Sequence, residues 1–175
     1  MKGNLATLKK ICRYASFVMT AGAAILSVML AAFLVLGVGS ALGMESASGF
    51  LEAWTGADSS DSVGFAAAFA EMALILALGI VTVVAVRGFM LSIYREHSPF
   101  TERNVDVMRL LSKTYLVASL LISIADWFAR GSVAVATFLF FGSVLVGVVI
   151  YCLALAFRYG GVLQKESDET LRGRR

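Results

Sequence analysis

The sequence contains one histidine, one proline and two cysteines in 175 residues, and only 15% of its side chains are charged. A zinc site needs several convergent Cys, His or carboxylate ligands, and His97 with Cys12 and Cys152 does not supply them. Two cysteines do not staple a small secreted module. A Gly-rich phosphate loop, a nucleophile elbow and a His-Glu helix motif are all missing. Asp58 and Asp61 lack the ladder of oxygen ligands that a calcium loop requires. Catalytic, cofactor and metal sites are therefore not expected. The 59% apolar content excludes a disordered chain, and the low charge excludes an ordinary soluble enzyme.

Charge is also missing in blocks, since residues 14–44 and 131–157 contain none. An uncharged, mostly apolar run of about 18 residues or more reads as a membrane span. Four spans follow, at 14–42, 64–86, 110–128 and 132–157. The second is interrupted only by Glu71, and the third is the weakest, with Lys113 near one end and Asp126 near the other. At about 1.5 Å per residue the first exceeds the ~30 Å hydrocarbon core, so it tilts or projects into water. A cleaved signal peptide with Val38-Gly39-Ser40 as its processing site is the alternative for this run. The run is longer than the usual h-region of about 7–15 residues, which favours an uncleaved anchor.

The cations orient the spans. With four spans, thirteen of the 15 Lys and Arg residues fall on one side, in the N-terminal segment, the middle loop with its flanks, and the tail. Arg130 stands on the other side, and Arg87 lies near the inner end of the second span. A three-span chain would move the tail's cations across. The expected fold is an all-α integral membrane four-helix bundle with both termini cytoplasmic, placed as a multi-pass protein in a bacterial cytoplasmic membrane. The outer loop, 43–63, carries Glu45, Glu52, Asp58 and Asp61 without a cation. Phe50 and Trp54, four apart, suit a short interfacial helix there, and Asp61 or Ser60 is placed to cap the second span. The net charge of +3 is the sum of a basic inner face and an acidic outer one, so direct nucleic-acid binding is not implied. The inner cations favour anionic headgroups of the lipid bilayer.

Ionisable residues inside spans are costly and mark candidate sites. Glu71, Asp126 and Arg130 all fall in the outer half, and they are expected to form one polar cluster, with Trp127 as an interface anchor. A structural clamp is favoured over an ion pathway, because the middle of span four, 138–149, offers almost no polar group. Arg87 is placed to snorkel. Gly39 and Gly43 are spaced as GxxxG, with intramolecular packing favoured over a homo-oligomer face. Cys12 at a membrane boundary reads as a small apolar residue, with palmitoylation as the alternative.

Two inner segments carry further pattern. In the loop 95–109, Ser98-Pro99 stops the second helix, Thr101 is a good N-cap for the next, and Phe100 with Val105 fits a hydrophobic staple. Val105, Met108 and Leu111 or Leu110 form an apolar stripe leading into span three. In the tail, 158–175, Gly160-Gly161 permits a helix stop or hinge, and a mixed-charge segment follows, either solvated or a docking element.

These two stretches carry a resemblance. Ser98-Pro99-Phe100-Thr101-Glu102-Arg103-Asn104, together with Phe157-Arg158-Tyr159-Gly160 and the run from Val162 to Leu171, resembles the domain of unknown function (DUF) 2975 family of small bacterial four-span membrane proteins. The resemblance implies a membrane partner for a small helix-turn-helix transcription regulator, whose gene often neighbours those of the family. It implies no catalytic residue. The candidate partner surface is Pro99, Phe100, Thr101 and Asn104 with Arg158, Gly160, Leu163, Gln164, Glu166, Asp168 and Thr170. The leading expectation is a regulatory or anchoring protein that holds a cytoplasmic partner, and the alternative is a small transporter or transporter subunit acting as an oligomer.

Overall fold

The computed structural model describes residues 2–96 and 100–172, and among them there are helices and no strand. The elements are α1 (Lys2–Ala41), α2 (Glu45–Thr55), α3 (Ser62–Glu96), α4 (Glu102–Arg130) and α5 (Val133–Arg172). Four of them, all but α2, are long and apolar enough to cross a membrane. All four overrun the spans read from the sequence, because a helix does not end where its side chains become polar. It ends where the backbone is capped or broken.

The stops are glycines at positive φ and capping side chains. Gly43 (φ 83°), Gly56 (φ 70°) and Gly131 (φ 66°) end α1, α2 and α4 in the left-handed region that only glycine enters at little cost. The Gly56 N–H donates to Glu52 O and the Gly131 N–H to Trp127 O, each at 2.8 Å. Thr101 caps α4, its Oγ1 accepting from the Asn104 N–H at 3.4 Å. Asp61 caps α3, its Oδ1 accepting from the Val63 N–H at 3.2 Å.

The four long helices run antiparallel and pack in chain order, α1 on α3, α3 on α4, α4 on α5. Among the described residues α1 does not pack on α4 or α5, so the bundle is an open row. Lipid tails are as apolar as leucine and supply no force to close it. Val28 and Val35 of α1 and Phe141 and Leu145 of α5 accordingly remain exposed. The two inner helices of the row are α3 and α4, and α4 is the most buried of the four.

Hence the molecule has two unlike ends. The hairpin end holds α2, the α2–α3 connection and the Gly131 turn. The terminal end holds the start of α1, the α3–α4 connection and the end of α5. At the hairpin end α2 lies across α1 and α3 and closes an apolar cluster built on Phe33, Leu51 and Leu76. Phe33 is fully buried, stacked on Phe69 at 4.6 Å and tilted against Trp54 at 5.5 Å. Leu51 is fully buried too, and removing such a side chain from water contributes roughly 1.5–3 kcal/mol. Phe50 and Trp54, the pair four apart, stay half exposed on the other flank of α2.

Of the GxxxG pair, Gly39 packs within the chain, as favoured, against α2, and Gly43 takes no part in that contact. Gly43 makes the turn out of α1, and Gly39 admits α2, since a Cβ there would lie 3.3 Å from the Ala47 Cβ. Gly160-Gly161 is neither a stop nor a hinge, because α5 runs through both to Arg172. Neither glycine has positive φ, and a Cβ at Gly160 would lie 2.6 Å from the Phe100 ring. These glycines make room for an aromatic side chain of the α3–α4 connection. Cys12 is buried, which fits a small apolar residue and leaves its thiol inaccessible for acylation, while Cys152 is exposed.

Candidate functional site

At the hairpin end, the sequence of α4 places Asp126 and Arg130 one turn apart on a single face. Arg130 reaches across to α3, where its Nη1 donates to Glu71 Oε2 at 2.8 Å. The same nitrogen donates to Asp126 Oδ1. Glu71 is 5% exposed and Asp126 fully buried, whereas the Arg130 side chain keeps 42% of its surface. The three residues expected to cluster are thus in contact, two carboxylates on one guanidinium. Asp126 Oδ2 is buried and has no hydrogen-bond partner. Gly64 makes room for the Asp61 carboxylate that caps α3, because a Cβ on it would collide with that side chain. Trp127 stands beside the cluster, half exposed and tilted on Phe128 at 5.2 Å.

Below this cluster runs a feature that the reading of the spans missed. Ser112, Tyr115, Ser119, Ser123, Asp126 and Arg130 recur at steps of three and four, which is one face of a helix. Most of that face is turned into the protein. Ser112 Oγ donates to Gly147 O on α5 at 2.8 Å. The Tyr115 hydroxyl pairs with Thr82 Oγ1 on α3 at 3.0 Å. Ser119 is fully buried and donates to Leu116 O at 2.7 Å. Arg109 continues the stripe toward the terminal end. Among the described residues, the buried side-chain atoms with no partner are Arg109 Nε, Ser123 Oγ and Asp126 Oδ2, all on this face. A polar stripe therefore runs along much of α4, while 138–149 on α5 offers almost no polar group. The signal was in the sequence, as hydroxyl residues at helical spacing in the least apolar span.

At the terminal end, the loop and the tail meet. The Phe100 ring lies over Gly160 and edge-on to Phe157 at 5.7 Å, and Phe157 in turn touches Phe89 at 5.6 Å. Thr101, besides capping α4, lies 3.4 Å from Ser92 Oγ of α3. The start of α4 and the last turns of α5 then enclose a groove of about 570 Å³. Phe100, Val105, Gly161 and Val162 supply its apolar surface, and Glu102, Asp106, Arg109, Arg158, Lys165 and Gln164 its polar surface. Among the described residues the ion pairs are those of Arg130, so none of these five charged side chains is neutralised by another.

Of the candidate partner residues, Phe100, Arg158 and Gln164 line the groove, and Gly160 adjoins it through the Phe100 ring. Asn104 is buried behind Thr101. Leu163 and Glu166 are exposed outside the groove, and Thr170 is exposed with its hydroxyl bonded back to Glu166 O at 3.0 Å. Pro99 and the side chain of Asp168 lie outside the described residues. Glu102, Asp106, Arg109 and Lys165 are groove residues that the sequence reading did not select. In the apolar stripe of α4, Leu111 is the buried choice and Leu110 the exposed one.

The acidic connection at the hairpin end is internally bonded. Glu52 Oε1 accepts from the Ser59 N–H at 2.9 Å, and Asp58 Oδ1 from the Ser60 N–H at 2.9 Å. The Ser60 backbone N–H, aided by its side chain, holds the Asp58 carboxyl below the usual aspartate range. Comparison with family models, with curated proteins and with solved structures gives no match.

Proposed function

We propose that the protein is a membrane-embedded regulatory or anchoring protein whose terminal end faces the cytoplasm and holds a small protein partner in the groove between α4 and α5. The observation that carries this reading is the groove itself. Two segments far apart in the chain are joined by Phe100 on Gly160, and five charged side chains there have no ion-pair partner within the described chain. The cation distribution supports this orientation, and a multi-pass position in a bacterial cytoplasmic membrane is part of the same reading. Glu102 and Asp106 on α4 opposite Arg158 and Lys165 on α5 suit a partner helix of mixed charge. The resemblance of the loop and tail to the DUF 2975 family makes a helix-turn-helix regulator the partner of choice. Binding at the membrane would withdraw such a regulator from DNA, and about 1.4 kcal/mol of differential binding changes its free amount tenfold.

A photo-crosslinking side chain at Gln164 or Arg158, in native membranes, tests the reading. A DNA-binding protein is the expected adduct, lost when Lys165 and Asp106 are both replaced by alanine. Equal adducts from Gln164 and from a control position at Trp54 would defeat it.

The α4 stripe favours one second reading, a small transporter or transporter subunit, since its polar groups extend from Arg109 to Arg130. Solute flux into liposomes holding the purified protein separates the two.

A further inference from the structure

The carboxylates at the hairpin end are undermatched in charge. Glu71 and Asp126, 5% and 0% exposed, share a single guanidinium. With both carboxylates ionised, one cation offsets the cost of two buried anions only in part, and one negative charge is left to be balanced. The rest of the surroundings does not supply the missing charge. Residues 14–44 on α1 and 131–157 on α5 contain no charged side chain, and Asp61, beside Gly64 at the same corner, adds a further negative one.

An independent sign points to the same place. Asp126 Oδ2 and Ser123 Oγ are both buried and both without a hydrogen-bond partner. They belong to residues three apart on one helix face. A buried polar atom without a partner costs free energy, more so where lipid replaces water. Two such oxygens on adjacent turns, in a site short of one positive charge, are what a small cation takes as ligands. Among the described residues no group of three or more His, Cys, Asp or Glu side chains gathers, so the donor set does not resemble that of a divalent ion.

We propose that Asp126 and Ser123, beside Glu71 and Arg130, form a binding site for one monovalent cation, either a sodium ion or a proton taken up on Asp126 Oδ2. The ion lies against Asp126 Oδ2, with the Ser123 hydroxyl oxygen as its second ligand. Arg130 continues to hold Glu71 and Asp126 Oδ1. The site stands apart from the groove at the terminal end, and its test needs no protein partner.

A ligand that binds the folded chain and not the unfolded one raises the unfolding midpoint with its concentration. The experiment follows thermal unfolding of the purified full chain in lipid nanodiscs. One titration varies sodium against choline at fixed pH and ionic strength, and a second varies pH at fixed sodium. The expected result is a midpoint that climbs with each tenfold step in sodium or in proton activity, with the climb lost in Asp126→Asn. A climb in the sodium series identifies sodium, and a climb in the pH series alone identifies the proton. Identical slopes for wild type and Asp126→Asn in both series would overturn the proposal. Should Asp126→Asn fail to fold, Ser123→Ala keeps every charge. A half-saturating concentration several-fold higher than wild type supports the site, and an unchanged one overturns it.

Discussion

The two ends of this molecule handle charge in opposite ways. At the hairpin end Glu71, Asp126 and Arg130 are gathered between helices, and the acidic side chains of the connection bond to backbone N–H groups nearby. At the terminal end Glu102, Asp106, Arg109, Arg158 and Lys165 line one groove without an ion pair among them. The first arrangement is costly to disturb, because a buried charge that loses its partner has no water to turn to. The second costs less within the chain, because Glu102, Asp106, Arg158 and Lys165 remain exposed and only the Nε of Arg109 is buried, and they stay available to something else. Charges consumed by the fold and charges offered by it therefore sit at opposite ends of α4, the first set shared with α3 and the second with α5.

The largest effect should separate these ends directly. Arg130→Ala strands two buried carboxylates and is expected to lose about 3–5 kcal/mol of stability. Arg158→Ala should stay within about 0.5 kcal/mol, as surface changes do. Unfolding of the two variants in the same detergent checks this, and comparable losses would erase the distinction.

Next comes the joint that builds the groove. Gly160→Leu forces the Phe100 ring off α5 and is expected to cost about 1–3 kcal/mol. Gly142→Leu, on the same helix with nothing within 4 Å of its added Cβ, should cost almost nothing. Thermal unfolding compares the pair, and a fluorophore at Lys165 reports opening of the groove in the first variant alone.

The hydroxyl contacts along α4 are weaker. Ser112→Ala removes the bond to Gly147 O and should lose about 0.6 kcal/mol, the average for such bonds inside a membrane. Denaturant-dependent unfolding measures it, and a loss several times larger would make the stripe a structural spine.

The smallest effect concerns the acidic connection. Asp58 titrates below the usual aspartate range because the Ser60 N–H favours its charged form. A depressed carboxylate lends stability that is fully present above its unfolded pKa and is lost as pH falls through the folded value. Hydrogen exchange at the Ser60 amide should accelerate, relative to its intrinsic rate, only in that acidic window, and Asp58→Asn should abolish the change.

The sequence made some of this legible and hid the rest for physical reasons. Long uncharged runs announce spans because lipid tolerates little else, and Thr101 and Asp61 announce helix starts because their side chains answer backbone donors. The cluster of Glu71, Asp126 and Arg130 was legible from cost alone, since ions in apolar runs need one another. The α4 stripe was harder to see, because serine and threonine are tolerated in any span and only their three-and-four spacing sets these apart. Gly160-Gly161 misled for a related reason. A glycine pair reads as a break when the partner that needs the space is some sixty residues away in the chain, and Phe100 became visible only when the fold brought it there.

The unbroken course of α5 has a mechanical result. Its 40 residues span about 60 Å at 1.5 Å each, twice the thickness of the hydrocarbon layer. The excess is a stiff mast, joined to its buried part without a pivot. Any tilt of the buried part, from stretching or thinning of the surrounding lipid, swings the far tip through a proportionally wider arc.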